Sequence, residues 1–154
     1  MKLRIRRSAT ARWRGAVDTG AGQIALGSGA FEGPYSLRSR VGDEPNTNPE
    51  ELLGGAHAGC FAMSVANLVA KAGHVPEQVS ASARVTLEEV EGSFTVTRIE
   101  LTATGRVPTL LPEEFVRLAE QARATCPISR ALAGVEITLD ARLETATADA
   151  EAHR

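Results

Sequence analysis

The chain carries two cysteines, Cys60 and Cys126, and what surrounds each one decides the chemistry its thiol can do. A thiol reacts as the thiolate, so the question at each position is what would hold negative charge on sulfur. Cys126 precedes Pro127, which suits the first position of a helix, and PISRALA, ended by Gly134, reads as a short helix. Cys126 therefore falls near an N-cap, where unpaired N–H groups and the helix dipole favour a thiolate. The other reading is a small residue wedged between two helices. Cys60 lies deep inside a long helical stretch, beyond the reach of that helix's dipole. A lowered pKa there needs a cation from outside the helix, and without one Cys60 is a core cysteine.

The side chains able to complete a site stand just upstream. Arg38 and Arg40 are the candidate cations, and Glu50 and Glu51 the candidate carboxylates. His57, one turn before Cys60, is a candidate general base, with a hydrogen-bonded packing histidine as its alternative. Glu51 follows Asn48 by three positions and is expected to be its capping partner, which leaves Glu50 free. Glu50 and Cys60 would lie about 15 Å apart along a straight helix. They share a site only if the helix breaks at Gly54-Gly55 or if Glu50 comes from a second copy of the chain. A zinc site built from Cys60, Cys126 and His57 would lack a fourth ligand and the usual paired spacings. Gly27, Gly29 and Gly33 form a loose loop without the Lys and the helix that a phosphate cradle needs, and neither Gly-x-Ser-x-Gly nor His-Glu-x-x-His occurs.

These residues must be positioned by the elements around them. NTNPEELLGGAHAGCFAMSVANLVAKAG, from Asn46 to Gly73, reads as one long helix capped by Asn48, opened by Pro49 and closed at Gly73. Its wall of Gly and Ala predicts a buried helix closely approached by other backbone. Before it, Leu3 to Trp13 and Gly15 to Gly27 are expected as a hairpin turning at DTGAG, with YSLRSR, Tyr35 to Arg40, as a third strand. After it, Ser80 to Val90 and Phe94 to Val107 make a second hairpin turning at Glu91-Gly92. The apolar parity of the return strand changes near Thr97, which predicts a bulge or a strand buried on both faces. Pro112 opens an amphipathic helix with Phe115, Leu118, Ala119 and Ala122 on one stripe, and Val135 to Leu143 alternates as a last strand. The order βββ-α-ββ-α-α-β argues an α+β fold with mostly antiparallel sheet. Residues 1–145 are expected as one domain and residues 146–154 as a flexible tail.

Composition narrows the classes of function. With 154 residues, 43% apolar, 23% charged and a formal net charge of −2, the chain has the make-up of a globular protein without a broad basic surface. Nucleic acid and anionic membrane are disfavoured as partners. The basic start MKLRIRRSATARWRG is followed by no apolar run of signal-peptide type, and no stretch is expected to span a membrane, so the reading is cytoplasmic. In that compartment a Cys60–Cys126 bridge would be transient and part of the chemistry.

TNPEELLGGAHAGCF, followed far downstream by ATCPISRAL, resembles the OsmC/Ohr family of thiol-dependent organic hydroperoxide reductases, and the similarity runs from about Trp13 to about Leu143. HAGC, with His where the Ohr branch usually has an aromatic, and PYSLRSR are closer to the OsmC branch. The early Arg-Gly motif of the Ohr branch is missing from the DTGAG turn. The resemblance implies that Cys60 is the peroxidatic and Cys126 the resolving cysteine, that Arg40 takes the arginine role with Arg38 as the other possibility, and that Glu50 is its carboxylate partner. It also implies an intertwined homodimer whose long helices are enclosed by sheet, with active sites at the subunit interface. No cofactor or metal is expected, only an organic hydroperoxide as substrate and an external dithiol reductant of lipoyl type. Leu53, Phe61 and Met63 are apolar neighbours able to favour organic peroxides. A thiol redox sensor or stress-related binding protein without turnover is the rival reading, and two inert core thiols the third.

Overall fold

The computed structural model describes residues 2–145, which form six strands and four helices. The residues read as a C-terminal tail, 146–154, lie outside that range. The chain divides into two compact units, with the boundary between Leu52 and Leu53.

The first unit contains a three-stranded antiparallel meander, β1 (Ala9–Arg14), β2 (Ala21–Leu26) and β3 (Glu32–Tyr35), in that spatial order. Trp13, Gly22 and Tyr35 face one another in a row across the three strands. The two rings tilt together with centroids 5.3 Å apart. A Cβ on Gly22 would lie 2.3 Å from the Tyr35 ring, so only glycine lets them close over the middle strand. The first strand is shorter than expected, because β2 offers register partners only as far as Ala9 and the last bond is Gly27 N–H to Ser8 O.

The expected third strand, Tyr35 to Arg40, is corrected. It runs Glu32–Tyr35, and Leu37–Val41 is a short helix, α1. Ser36 caps that helix through a reciprocal box: its hydroxyl accepts from the Ser39 amide at 3.0 Å, and the Ser39 hydroxyl accepts from the Ser36 amide at 2.9 Å. Two satisfied helix-start amides outweigh the weak alternation of YSLRSR.

The long helix α2 (Pro49–Lys71) starts as expected, with Asn48 Oδ1 accepting the Glu51 amide at 2.9 Å. The reciprocal bond from the Glu51 side chain is absent, so the capping box is only half made. The helix continues unbroken through Gly54 and Gly55, which removes the broken-helix route to joining Glu50 with Cys60. By length and composition α2 is apolar enough to cross a membrane, contrary to the expectation that no stretch would be. Its Phe61, Val65 and Val69 are instead part of the second unit's core.

That unit's sheet has the order β4 (Gln78–Val90), β5 (Ser93–Arg106), β6 (Glu136–Leu143). Glu91 and Gly92, both at positive φ, close the antiparallel β4–β5 hairpin. The bulge falls where parity predicts it: Thr86 pairs with Arg98 and Leu87 with Val96, which leaves Thr97 as the extra residue. β6 runs parallel to β5, a pairing that requires a crossover. α3 (Pro112–Thr125) and α4 (Pro127–Ala131) supply it.

The core joins Phe61, Val65 and Val69 of α2 to alternate residues Ile99, Leu101 and Ala103 of β5 and to Phe115, Leu118, Ala119 and Ala122 of α3. Phe61, one of the three apolar neighbours named as able to favour organic peroxides, is thus a core residue with no exposed surface. The Gly/Ala wall of α2 is also corrected. Only Gly54 meets close backbone, with a Cβ there falling 3.2 Å from Ala83 O, whereas Gly55, Gly59 and Met63 face outward, Met63 at 76% exposure.

Candidate active site

In the second unit the two thiols meet between α2 and the α3–α4 junction. Pro127 disfavours helical backbone at the residue before it, and Cys126 takes φ −60°, ψ 138°. That kink makes Cys126 both the last cap of α3 and the first cap of α4. Its sulfur accepts the Ser129 amide at 3.3 Å and lies 3.3 Å from the Ser129 hydroxyl. The hydroxyl lies 2.8 Å from Nε2 of His57 on α2. One turn further along α2, Cys60 shares a side-chain hydrogen bond with Cys126 and also contacts the Ile128 amide and the Ser64 hydroxyl. Both cysteines are free thiols; Cys126 is 1% exposed and Cys60 is partly exposed.

The two sulfurs are pushed in opposite directions. Burial raises Cys60, as does its neighbour Cys126, and the Ile128 amide and Ser64 hydroxyl only partly oppose this. Burial is also the largest single influence on Cys126 and pushes it up. The Ser129 hydroxyl and amide, Cys60 and the Ile128 amide together outweigh it, and the Cys126 pKa is lowered. Of the two, Cys126 has the surroundings that favour a thiolate. The N-cap expected for Cys126 is present, and the cation that Cys60 needs is not among its neighbours in this unit. His57 is buried with its pKa lowered by desolvation, and its Nδ1 has no hydrogen-bond partner among the described residues. Its partner is Ser129, not the adjacent Cys60. Among the described residues no group of three or more His, Cys, Asp or Glu is placed to hold a metal ion.

The first unit holds the charged pair. Arg40 Nη2 donates to Glu50 Oε1 at 2.7 Å, and Nε reaches both carboxylate oxygens at 3.0 and 3.2 Å. Local capping makes this possible. The Ser39 hydroxyl donates to Thr47 O at 2.8 Å, Asn48 Nδ2 donates to Ser39 O at 3.1 Å, and together they hold the last turn of α1 beside the first turn of α2. The Glu50 side chain is 10% exposed and that of Arg40 36%. Of the two arginines left open by the sequence, Arg40 is the one paired with Glu50, and Arg38 makes no ion pair among the described residues. Glu51 stays exposed.

The family model for OsmC-like protein matches residues 42–140, a stretch that includes Glu50, both cysteines and Ser129. The chain belongs to the OsmC family. It is 35% identical over 144 residues to peroxiredoxin OsmC of Escherichia coli K12, covering 93% of this chain and all of that one, and this homology supports membership in a thiol-based peroxidase family. An organic hydroperoxide resistance protein from Elizabethkingia anophelis, solved with thiocyanate bound, superposes with a TM-score of 0.74 at 26% identity, covering 94% of this chain and all of the other. OhrB of Bacillus subtilis shares the fold, with a TM-score of 0.64 at 22% identity over 89% of this chain and 98% of that one. The α+β OsmC/Ohr-like fold and the resemblance read from the two cysteine motifs both hold.

Two residues of this OsmC-family thiol pocket escaped the reading of the sequence. Ser129 was legible in principle, because a polar residue three positions after an N-cap is the second half of a capping box, and CPIS has that spacing. Ser64, one turn after Cys60, follows from the helical i, i+4 rule.

Proposed function

We propose that the protein is a cysteine-based peroxidase that reduces organic hydroperoxides to alcohols. The observation that supports it is the adjacency of two reduced thiols, one reachable from solvent and one buried with donors arranged for a thiolate. The Cys60 thiolate attacks the terminal oxygen of R–O–OH, the O–O bond breaks, and the alkoxide leaves and takes up a proton. Cys60 then carries a sulfenic acid. Cys126 attacks that sulfur, a disulfide forms, and the hydroxyl leaves as water. A lipoyl-type dithiol reduces the disulfide and is itself oxidised to a disulfide. No metal or bound cofactor takes part.

Because the local environment raises Cys60, this reading requires a positive charge that its own unit does not supply. A second copy of the chain, contributing the Arg40–Glu50 pair, provides it in an intertwined homodimer. The outward face of α2, with Gly55, Gly59 and Met63, is small and apolar enough for such an approach. The setting is cytoplasmic, where a thiol pair can cycle.

Steady consumption of cumene hydroperoxide in the presence of dihydrolipoamide is the expected result. One disulfide per chain without turnover would instead make the protein a sensor, and the absence of any disulfide would make both thiols inert. In Cys126→Ser a dimedone-trappable sulfenic acid should accumulate on Cys60. Trapping on Cys126 in Cys60→Ser, with none on Cys60 in Cys126→Ser, would reverse the roles.

A further inference from the structure

The buried pair His57 and Ser129 has no part in the steps above, yet it makes a continuous path to the resolving sulfur. His57 has no exposed surface, and its Nε2 is 2.8 Å from Ser129 Oγ. Ser129 is 5% exposed, and its hydroxyl is 3.3 Å from Cys126 Sγ. Among the described residues His57 Nδ1 is buried with no partner, so the Ser129 contact is the ring's one hydrogen bond there. The only titratable groups acting on this chain of atoms among the described residues are Cys60 and Cys126, and burial alone acts on His57.

We propose that Ser129 and His57 are positioning residues that relay the Cys126 thiol proton when Cys126 attacks the oxidised Cys60. The proposal rests on the peroxidase reading and deepens it. In the resting state the Cys126 S–H donates to Ser129 Oγ and the Ser129 O–H donates to His57 Nε2. This direction of donation requires a neutral imidazole with its lone pair on Nε2, and burial keeps the ring neutral. Moving one proton along each link leaves a Cys126 thiolate and a short-lived imidazolium. The thiolate attacks the Cys60 sulfur, the S–S bond forms, the S–O bond breaks and hydroxide departs. The proton held on His57 balances that hydroxide as water. The net change is sulfenic acid plus thiol to disulfide plus water.

The return stroke follows from access. The external dithiol reaches the partly exposed Cys60 sulfur, and buried Cys126 leaves as a thiolate that the Ser129 hydroxyl and amide already accommodate.

The test is a single turnover. One equivalent of cumene hydroperoxide is added to reduced wild type, Ser129→Ala, Ser129→Thr and His57→Gln, and dimedone trapping and disulfide formation are followed by mass spectrometry across pH. His57→Gln is the discriminating variant, because its amide oxygen can still accept from the Ser129 hydroxyl but cannot take up a proton. The relay predicts that disulfide formation slows by about tenfold or more in Ser129→Ala and His57→Gln relative to the preceding oxidation step, with Ser129→Thr restoring it. It also predicts that the rate in His57→Gln rises with pH up to the ordinary thiol range. A wild-type rate and pH profile in His57→Gln would reduce His57 to packing and overturn the proposal.

A second readout needs no peroxide. In the Cys60→Ser background, Cys126 is titrated by thiolate ultraviolet absorbance, and Ser129→Ala and His57→Gln should each move its midpoint upward. Failure of wild type to consume peroxide together with a shifted midpoint would sink the peroxidase reading and spare the coupling. Normal turnover with unmoved midpoints would do the reverse.

Discussion

Arg40 and Glu50 show how much a single side-chain geometry carries. Three hydrogen bonds join a planar guanidinium to one carboxylate, and the carboxylate is mostly buried. Lysine keeps the charge but cannot reproduce the fork. Arg40→Ala leaves a nearly buried Glu50 uncompensated and is expected to cost about 1–3 kcal/mol of stability, below the cost for a fully buried pair because Arg40 is partly exposed. Urea denaturation of Arg40→Ala and Arg40→Lys measures this, and lysine should recover only part of the loss. His57 sets a pH dependence. Its folded pKa lies below the ordinary value of 6.5, so on acidification the unfolded chain takes up the proton first. Stability is unaffected by this group above 6.5 and falls as pH drops through that value toward the folded pKa. The difference in urea midpoint between pH 7.5 and pH 5.5 should shrink in His57→Gln, and an unchanged difference would mean that His57 is not the group responsible.

At the scale of elements, close approach is the recurring device. Gly105 on β5 lies beneath the Phe115 ring of α3, and a Cβ there would fall 2.3 Å from Cε2. Phe115 has no exposed surface and no room to retreat, so Gly105→Ala is expected to destabilise by about 1–3 kcal/mol, read as a lower urea midpoint at unchanged slope. The same packing holds α3 against the sheet and with it the kink at Cys126. Element types were legible where a local rule was strong. Parity marked Thr97 as either a bulge or part of a strand buried on both faces, and the register settles it as a bulge; the Pro127 break could be read from the fixed geometry of proline. α1 was missed because a Ser36–Ser39 box in five residues competes with an alternation of the same length, and only the observed hydrogen bonds decide between them.

For the whole molecule the outward face of α2 is the surface that a second copy is expected to cover. Met63 at 76% exposure beside Gly55 and Gly59 is expected to be buried in a homodimer. Met63→Glu should then shift the sedimentation coefficient toward that of a monomer and lower peroxidase activity in parallel. A mixture refolded from Arg40→Ala and Cys60→Ser copies tests whether the site is shared. If Arg40 acts on the Cys60 of the other copy, heterodimers regain one intact site and activity returns. If it acts within its own chain, the mixture stays as inactive as its components.

The sequence by itself determined the family, the α+β class and the N-cap environment of Cys126, because each depends on nearest neighbours or on fixed helical spacing. Tertiary structure alone decided that Cys60 and Cys126 are in contact, that Arg40 rather than Arg38 holds Glu50, and that His57 reaches Ser129. Phe61 likewise became core, and the Gly/Ala wall an open face, only on folding. The reason is physical. Local rules set which conformations a segment prefers, whereas contacts between residues as far apart as His57 and Ser129 depend on how helices pack, and no spacing within one segment encodes that.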